Sequence, residues 1–298
     1  DDANIVLPTL TTQGYLWPSP AGSGTRLNPN VGEITGCFWT GDSYYDGLEV
    51  HLRGKFGQGS QAGLSYTWGK AIDTGSSSTA GDEFPNSIAS PLWFDVRRYR
   101  GLAAFDTAQD LTASYILNLG TPKRIQGIGR WALGGWAVGG IFEASTGTPF
   151  TPVFGGDPLG VNSSSPSVDV PNFVNAPGCS SSQVNPGNPL HYIKTQCFAV
   201  PNPITLLGNL GRNTLIGPGL VNLDFSMFKN NYVKRISDAF NVQFRAEFFN
   251  VLNHANFAPP LDNRALFDAQ GKPLANAGEI TGTQTPAREI QFALKMIW

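Results

Sequence analysis

Charge is scarce in this chain. Asp, Glu, Lys and Arg make up 14% of its 298 residues, where about a quarter is usual for soluble globular proteins. Net charge is −2 with both signs spread along the sequence, so no basic patch recommends nucleic acid as a partner. There are only three histidines, His51, His191 and His254, far apart in sequence. With no HExxH and no paired-cysteine spacing, the usual starting points for a metal site are missing. Neither a GxSxG elbow nor a GxxxxGK[ST] loop occurs, which removes the serine-hydrolase and nucleotide-hydrolase readings. GIGRWA (127–132) formally fits a GxGxxA dinucleotide fingerprint. That fingerprint needs a strand before it and a helix after it, whereas the following LGGWAVGG reads as a strand, so the match is taken as chance. Long apolar runs are lacking too, and none approaches the roughly 18 residues of a membrane helix. A membrane protein with this sequence must therefore span as a barrel. No enzymatic activity, metal or cofactor is expected.

Glycine (35 residues), proline (22) and aromatics (11%) are plentiful, a mixture that favours strands joined by turns and loops. Period-two alternation dominates. At the C-terminus Ile290, Phe292, Leu294, Met296 and Trp298 alternate with Glu289, Gln291, Ala293 and Lys295. Before them Val242, Phe244, Ala246 and Phe248 alternate with Gln243, Arg245 and Glu247, and Val221, Leu223, Phe225 and Met227 with Asn222, Asp224 and Ser226. Leu48, Val50 and Leu52 alternate with Glu49, His51 and Arg53, and Leu64, Tyr66 and Trp68 follow. With further candidates at 111–120 and 131–147, the pattern predicts roughly eight to ten strands of about membrane-spanning length. Trp68, Tyr115, Trp131, Trp136 and Trp298 fall at or near the expected strand ends, as an interfacial aromatic girdle requires.

Residues 75–91 and 151–215 lack alternation and are rich in Gly, Pro, Ser and Asn. Loops this long are functional or disordered more often than not, and outer-membrane barrels place long loops outside and short turns inside. Cys179 and Cys197 enclose a polar, proline-rich stretch and could form a loop disulfide, leaving Cys37 unpaired; three free thiols are the alternative. The N-terminus, DDANIVLPTL, has neither an initiator Met nor a charged-then-apolar leader. A chain that begins midstream is expected, with residues 1–26 an irregular loop segment and 27–298 the main domain.

The stretches GNLGRNTLIGPGLVNLDFSMFKN (208–230), NVQFRAEFFNVLNHANF (241–257) and TPAREIQFALKMIW (285–298) resemble the C-terminal barrel of Oar-like TonB-dependent receptors. These are acidobacterial outer-membrane proteins carrying a carboxypeptidase-regulatory-like domain. Residues 27–73, 134–152 and QCFAVPNP (196–203) fit the same family in the same order, so the resemblance covers most of the chain from residue 27 onward. One departure is FDTAQDL (105–111), where the family usually has a run of the FDVRHRF type. The resemblance implies a barrel of about 22 strands occluded by an N-terminal plug, docking to TonB and driven by the inner-membrane proton-motive force. This chain would supply less than half of that wall.

The expected fold is thus all-β: a segment of an antiparallel transmembrane barrel with long extracellular loops, in the bacterial outer membrane. Leu223, Phe225, Val242, Phe244, Phe248, Ile290, Phe292, Leu294 and Met296 are expected to face lipid. Asp224, Gln243, Arg245, Glu247, Glu289, Gln291 and Lys295 are expected in the lumen, because charge facing lipid costs about 2–4 kcal/mol at the midplane. His51 reads as a solvated lumen residue and His254 as a turn residue. A terminal aromatic, here Trp298, resembles the signal read by the barrel-assembly machinery. The expected function is energy-coupled uptake of an unknown ligand, with outer-membrane lipid, plug, TonB system and assembly machinery as partners. Two other readings compete. A self-contained small barrel or porin requires its first and last strands to pair, and a secreted carbohydrate-binding β-sandwich requires Phe244, Phe292 and Leu294 to share a core.

Overall fold

The computed structural model describes residues 3–18, 26–32, 34, 39–57, 59–76, 84–120, 124–161 and 169–298; Cys37 lies outside them. Seven long strands carry the architecture: β1 (Ser43–Phe56), β2 (Ser60–Asp73), β3 (Gln109–Asn118), β4 (Trp136–Ser145), β5 (Leu220–Tyr232), β6 (Asn241–Phe249) and β7 (Glu289–Ile297). Each pairs antiparallel with its neighbours in sequence, giving one meander in the order β7-β6-β5-β4-β3-β2-β1, with Gly101–Leu102 adding a short eighth strand beside β2. Strand lengths run from 9 to 14 residues, enough to cross a bilayer at a tilt. The sheet among the described residues thus has eight strands, seven of them long, at the lower bound of the eight to ten expected; residues 127–133 form a helix, so β4 starts only at Trp136 instead of Trp131.

Register fixes the faces. Directly opposed residues in an antiparallel pair lie on the same side of a sheet, and Phe248 is opposite both Ile290 and Phe225, Phe225 opposite Gly140, and Gly140 opposite Tyr115. Carried across β2 and β1, the same parity collects Leu64, Tyr66, Trp68, Leu48, Val50 and Leu52. Apart from Asp46 and Lys70, which oppose one another towards the capped end, and Lys229 of β5, one face is therefore apolar over all seven strands. It is also uncovered: Phe292 is 67% and Leu294 64% exposed, and the buried apolar side chains within the long strands are small, namely Ala71, Ala137 and Ala246. Burying a large apolar side chain is worth about 1.5–3 kcal/mol, so the dozen or so exposed on this face would cost on the order of tens of kcal/mol if left in water. The face requires an apolar solvent.

The connections sort by length. At one end the sheet has only residues 57–59, 119–135 and 233–240; at the other, 74–108, 146–219 and 250–288. The long group exceeds the expected 75–91 and 151–215 at both ends and includes a third connection. These segments are not structureless. They supply one hydrophobic core, built on Phe150, Phe154, Tyr192, Ile193, Phe198, Leu215, Leu266 and Phe267, and, with Trp17 of the N-terminal segment, a second built on Ile88, Leu92, Tyr99, Val153, Leu159 and Val170. Short strand pairs stitch them together, including Ala265–Asp268 parallel to Val153–Gly155. The N-terminal segment, expected to be irregular, contributes the hairpin Thr9–Thr11/Gly14–Leu16. It docks through Tyr15 Oη, which donates to Asp95 at 2.8 Å, and through Trp17 N, which donates to the Thr205 carbonyl at 3.0 Å. The result is a packed cap on one end of a one-layer sheet.

Two close approaches set this geometry. A Cβ on Gly147 would collide with the backbone of Gly217 and Pro218 where the 146–219 loop leaves and rejoins the sheet, and one on Gly140 would sit 2.8 Å from Tyr115 Oη. Glycine is required where backbone or ring crosses so closely.

Candidate functional site

The face opposite the apolar belt holds every residue expected in the lumen. Asp224 on β5, Gln243, Arg245 and Glu247 on β6, and Glu289, Gln291 and Lys295 on β7 share its parity. Arg245 is central. Its Nε donates to Gln243 Oε1 at 2.7 Å, its Nη1 lies 3.6 Å from Glu247 Oε1, and its guanidinium sits 5.1 Å from the centre of the Phe228 ring. Gln243 in turn donates to Asn230 Oδ1 at 2.8 Å, which also accepts from Asn241 at 2.9 Å. Asp224 accepts from Asn222 Nδ2 and from the Asn250 amide at the cap end of β6. On β1, His51 shares this face, within 3.0 Å of Ser65 Oγ. A concavity of about 510 Å³ lies along it, lined by Arg53, Gln61, Ser114, Asp224, Ser226 and Glu247 with Ile116, Ile141 and Phe228 between them. Such a surface offers both signs of charge, amides and hydroxyls, with apolar patches between.

The residues expected to meet lipid occupy the other face. Leu223, Phe225, Val242, Phe244, Phe248, Ile290, Phe292, Leu294 and Met296 share one parity, and the Phe244 and Phe292 rings stack at 6.2 Å on it. This arrangement removes the sandwich reading, which needed Phe244, Phe292 and Leu294 in a common core. The expected aromatic positions are corrected in three places, the first being Trp68, which lies within β2, five residues short of its end. Tyr115 lies mid-strand over Gly140, and Trp131 lies in the helix α1 (Gly127–Leu133). That helix contains GIGRWA, and a turn rather than a strand precedes it, so the fingerprint's required context is not met. Trp298 follows β7 at the end with the short turns.

Sequence reading missed Lys229, as it missed the buried charges of the cap. Lys229 of β5 lies opposite Trp136 and Phe244, so it is on the apolar face, yet it is buried. Its Nζ donates to the carbonyls of Trp131 (2.7 Å) and Gly134 (3.1 Å) and to Asn231 Oδ1 (2.9 Å), and lies 4.9 Å from the Trp131 ring centre. Extending the Leu223-Phe225-Met227 alternation by one step would have revealed it.

In the cap, Arg212 is the principal charge. Buried with Asp73, it pairs with that carboxylate and donates to the carbonyls of Tyr99 (3.0 Å) and Asp73 (2.8 Å) and to Ser76 Oγ (3.2 Å). Asp169 is also buried, and burial, reinforced by the Asp157 carboxylate, pushes its pKa up to about 8. Desolvation lowers that of Arg264, which donates to the Asn86 carbonyl at 3.0 Å. Cys179 and Cys197 are disulfide-bonded. His254 is held in the turn after β6, its amide donating to Asn250 Oδ1 at 3.0 Å and its Nδ1 2.9 Å from Asn256 Oδ1. Among the described residues no three His, Cys, Asp or Glu side chains cluster as metal ligands, and no helix is long and apolar enough to cross a membrane.

Comparison with curated proteins and with solved structures gave no match. Comparison with protein families aligns residues 2–291 with the outer membrane beta barrel domain. A seven-stranded antiparallel meander, apolar and uncovered on one face and polar and concave on the other, is consistent with that alignment. The chain belongs to the outer membrane beta barrel domain family, and its place is the bacterial outer membrane.

Proposed function

We propose that this chain is a wall section and external cap of a TonB-dependent receptor, working in energy-coupled uptake of a ligand that the cap meets first. The observation that carries the reading is an open sheet: among the described residues β1 and β7 have no second partner strand, although the apolar face between them is complete. That favours one arc of a larger wall over a self-contained small barrel or porin, which would need β1 and β7 to join. The motifs shared with Oar-like receptors support the same reading. Arg245, Glu247 and Asp224 then hydrate the lumen and offer hydrogen bonds to a plug, and the energy-coupling parts lie elsewhere in the receptor. No covalent chemistry is assigned to any side chain. The test is uptake by cells carrying the complete reading frame, with TonB present or deleted, across a panel of solutes too bulky for diffusion pores. Uptake lost with TonB is expected; accumulation that ignores TonB would exclude the receptor reading.

A further inference from the structure

Helix α1 hangs on the outside of the sheet, not over its concave side. The proof is Lys229. It projects from the apolar face, and its ammonium reaches the carbonyls of Trp131 and Gly134 at the helix C-terminus, while Trp136, on that same face, donates from Nε1 to the Ala132 carbonyl at 2.8 Å. A lysine among lipid-facing side chains would be unfavourable alone, but three acceptors and two indole faces enclose this one. The clamp fixes the helix against the rim of the apolar belt at the short-turn end.

What the helix shows outward is unusual for a turn. Ile128 is 83% and Trp131 65% exposed, and Leu133 is exposed as well, while Arg124 and Arg130 lie exposed beside them. The neighbouring turn repeats the composition with exposed Ile236, Lys234 and Arg235. Charge is distributed unevenly between the two ends. The three short connections hold Lys123, Arg124, Arg130, Lys234 and Arg235 against the single acid Asp238, whereas the three long ones hold nine acidic and eight basic residues. Apolar side chains and Trp ringed by cations, at the edge of a lipid-facing belt, match an interface of acyl chains and anionic headgroups.

We propose that α1 is an interfacial anchor that seats the short-turn rim in an anionic phospholipid leaflet, with Ile128, Trp131 and Leu133 entering the acyl boundary and Arg124 and Arg130 binding headgroup phosphates. The proposal rests on the reading that the apolar face meets lipid. To test it, the full-length protein with Cys37→Ser is refolded into phosphatidylcholine vesicles with or without phosphatidylglycerol. An environment-sensitive fluorophore is attached at Ile128→Cys, at Leu294→Cys on the belt, or at Leu190→Cys in the cap, and brominated lipids serve as quenchers. Blue-shifted, quenched emission at 128 and 294 with water-like emission at 190 is expected. Quenching at 294 but not at 128 overturns the anchor and leaves the barrel intact; quenching at neither overturns both. In the Arg124→Gln/Arg130→Gln variant the stronger quenching at 128 in phosphatidylglycerol vesicles is expected to fall to the phosphatidylcholine level. Its persistence would overturn the headgroup role.

Discussion

At the scale of single residues, the cap is held by buried polar groups whose removal has unequal consequences. Arg212→Ala leaves the Asp73 carboxylate buried without its partner, and breaking such a pair costs about 3–5 kcal/mol. Limited proteolysis between residues 74 and 108 is expected to become faster by orders of magnitude while the sheet stays folded. Asp169 acts in the opposite sense. Below its ordinary value of 3.8 it is protonated in folded and unfolded chains alike and costs nothing. As pH rises the unfolded chain ionises first, so the cap loses stability until pH passes about 8, after which the penalty is constant. Asp169→Asn is therefore expected to raise cap stability at pH 8 by on the order of several kcal/mol and to change little at pH 3.5 or about there. Thermal melts followed by near-ultraviolet dichroism at both pH values check the sign.

Individual elements separate what alternation reveals from what it hides. On β7 the two faces make opposite predictions. Phe292→Arg is expected to cost about 2–4 kcal/mol of folding stability in bilayers, since it places charge against lipid, while Gln291→Arg on the polar face stays near neutral; heat-modifiable gel migration after refolding reads the difference. In the 146–219 loop, reducing the Cys179–Cys197 bond is expected to cost about 3 kcal/mol by the loop-closure relation, seen as a lower denaturation midpoint for the cap alone. The strands were legible because each must show one apolar face, and Leu223, Phe244 and Phe292 say so locally. The cap was not, because strands of two residues such as Phe198–Ala199 carry no period, and the contacts of Phe150 with Leu215 or of Val153 with Arg264 join distant positions. Helix α1 was hidden for a related reason. Its residues Trp131 and Leu133 are exposed and so impose no helical stripe, and the Trp131 start assigned to a strand is displaced by the clamp from Lys229, which lies some hundred residues on.

For the molecule as a whole, the cap, the belt and the polar concavity place three solvents around one sheet on the proposed reading: water beyond the cap, lipid on one side, and a lumen on the other. The isolated chain added to planar bilayers is expected to give erratic currents with no single conductance level, since its edges are open; a reproducible level shared by many insertions would instead establish a self-contained pore. The meander also imposes a counting rule. Both β1 and β7 begin at the capped end and finish at the end with short turns, so they run in the same direction. Joining them directly would create a parallel seam, foreign to the alternating wall of bacterial barrels. Any antiparallel closure must insert an odd number of strands between them. Whatever completes this wall, in the same chain or another, must therefore enter and leave the gap on opposite sides of the membrane.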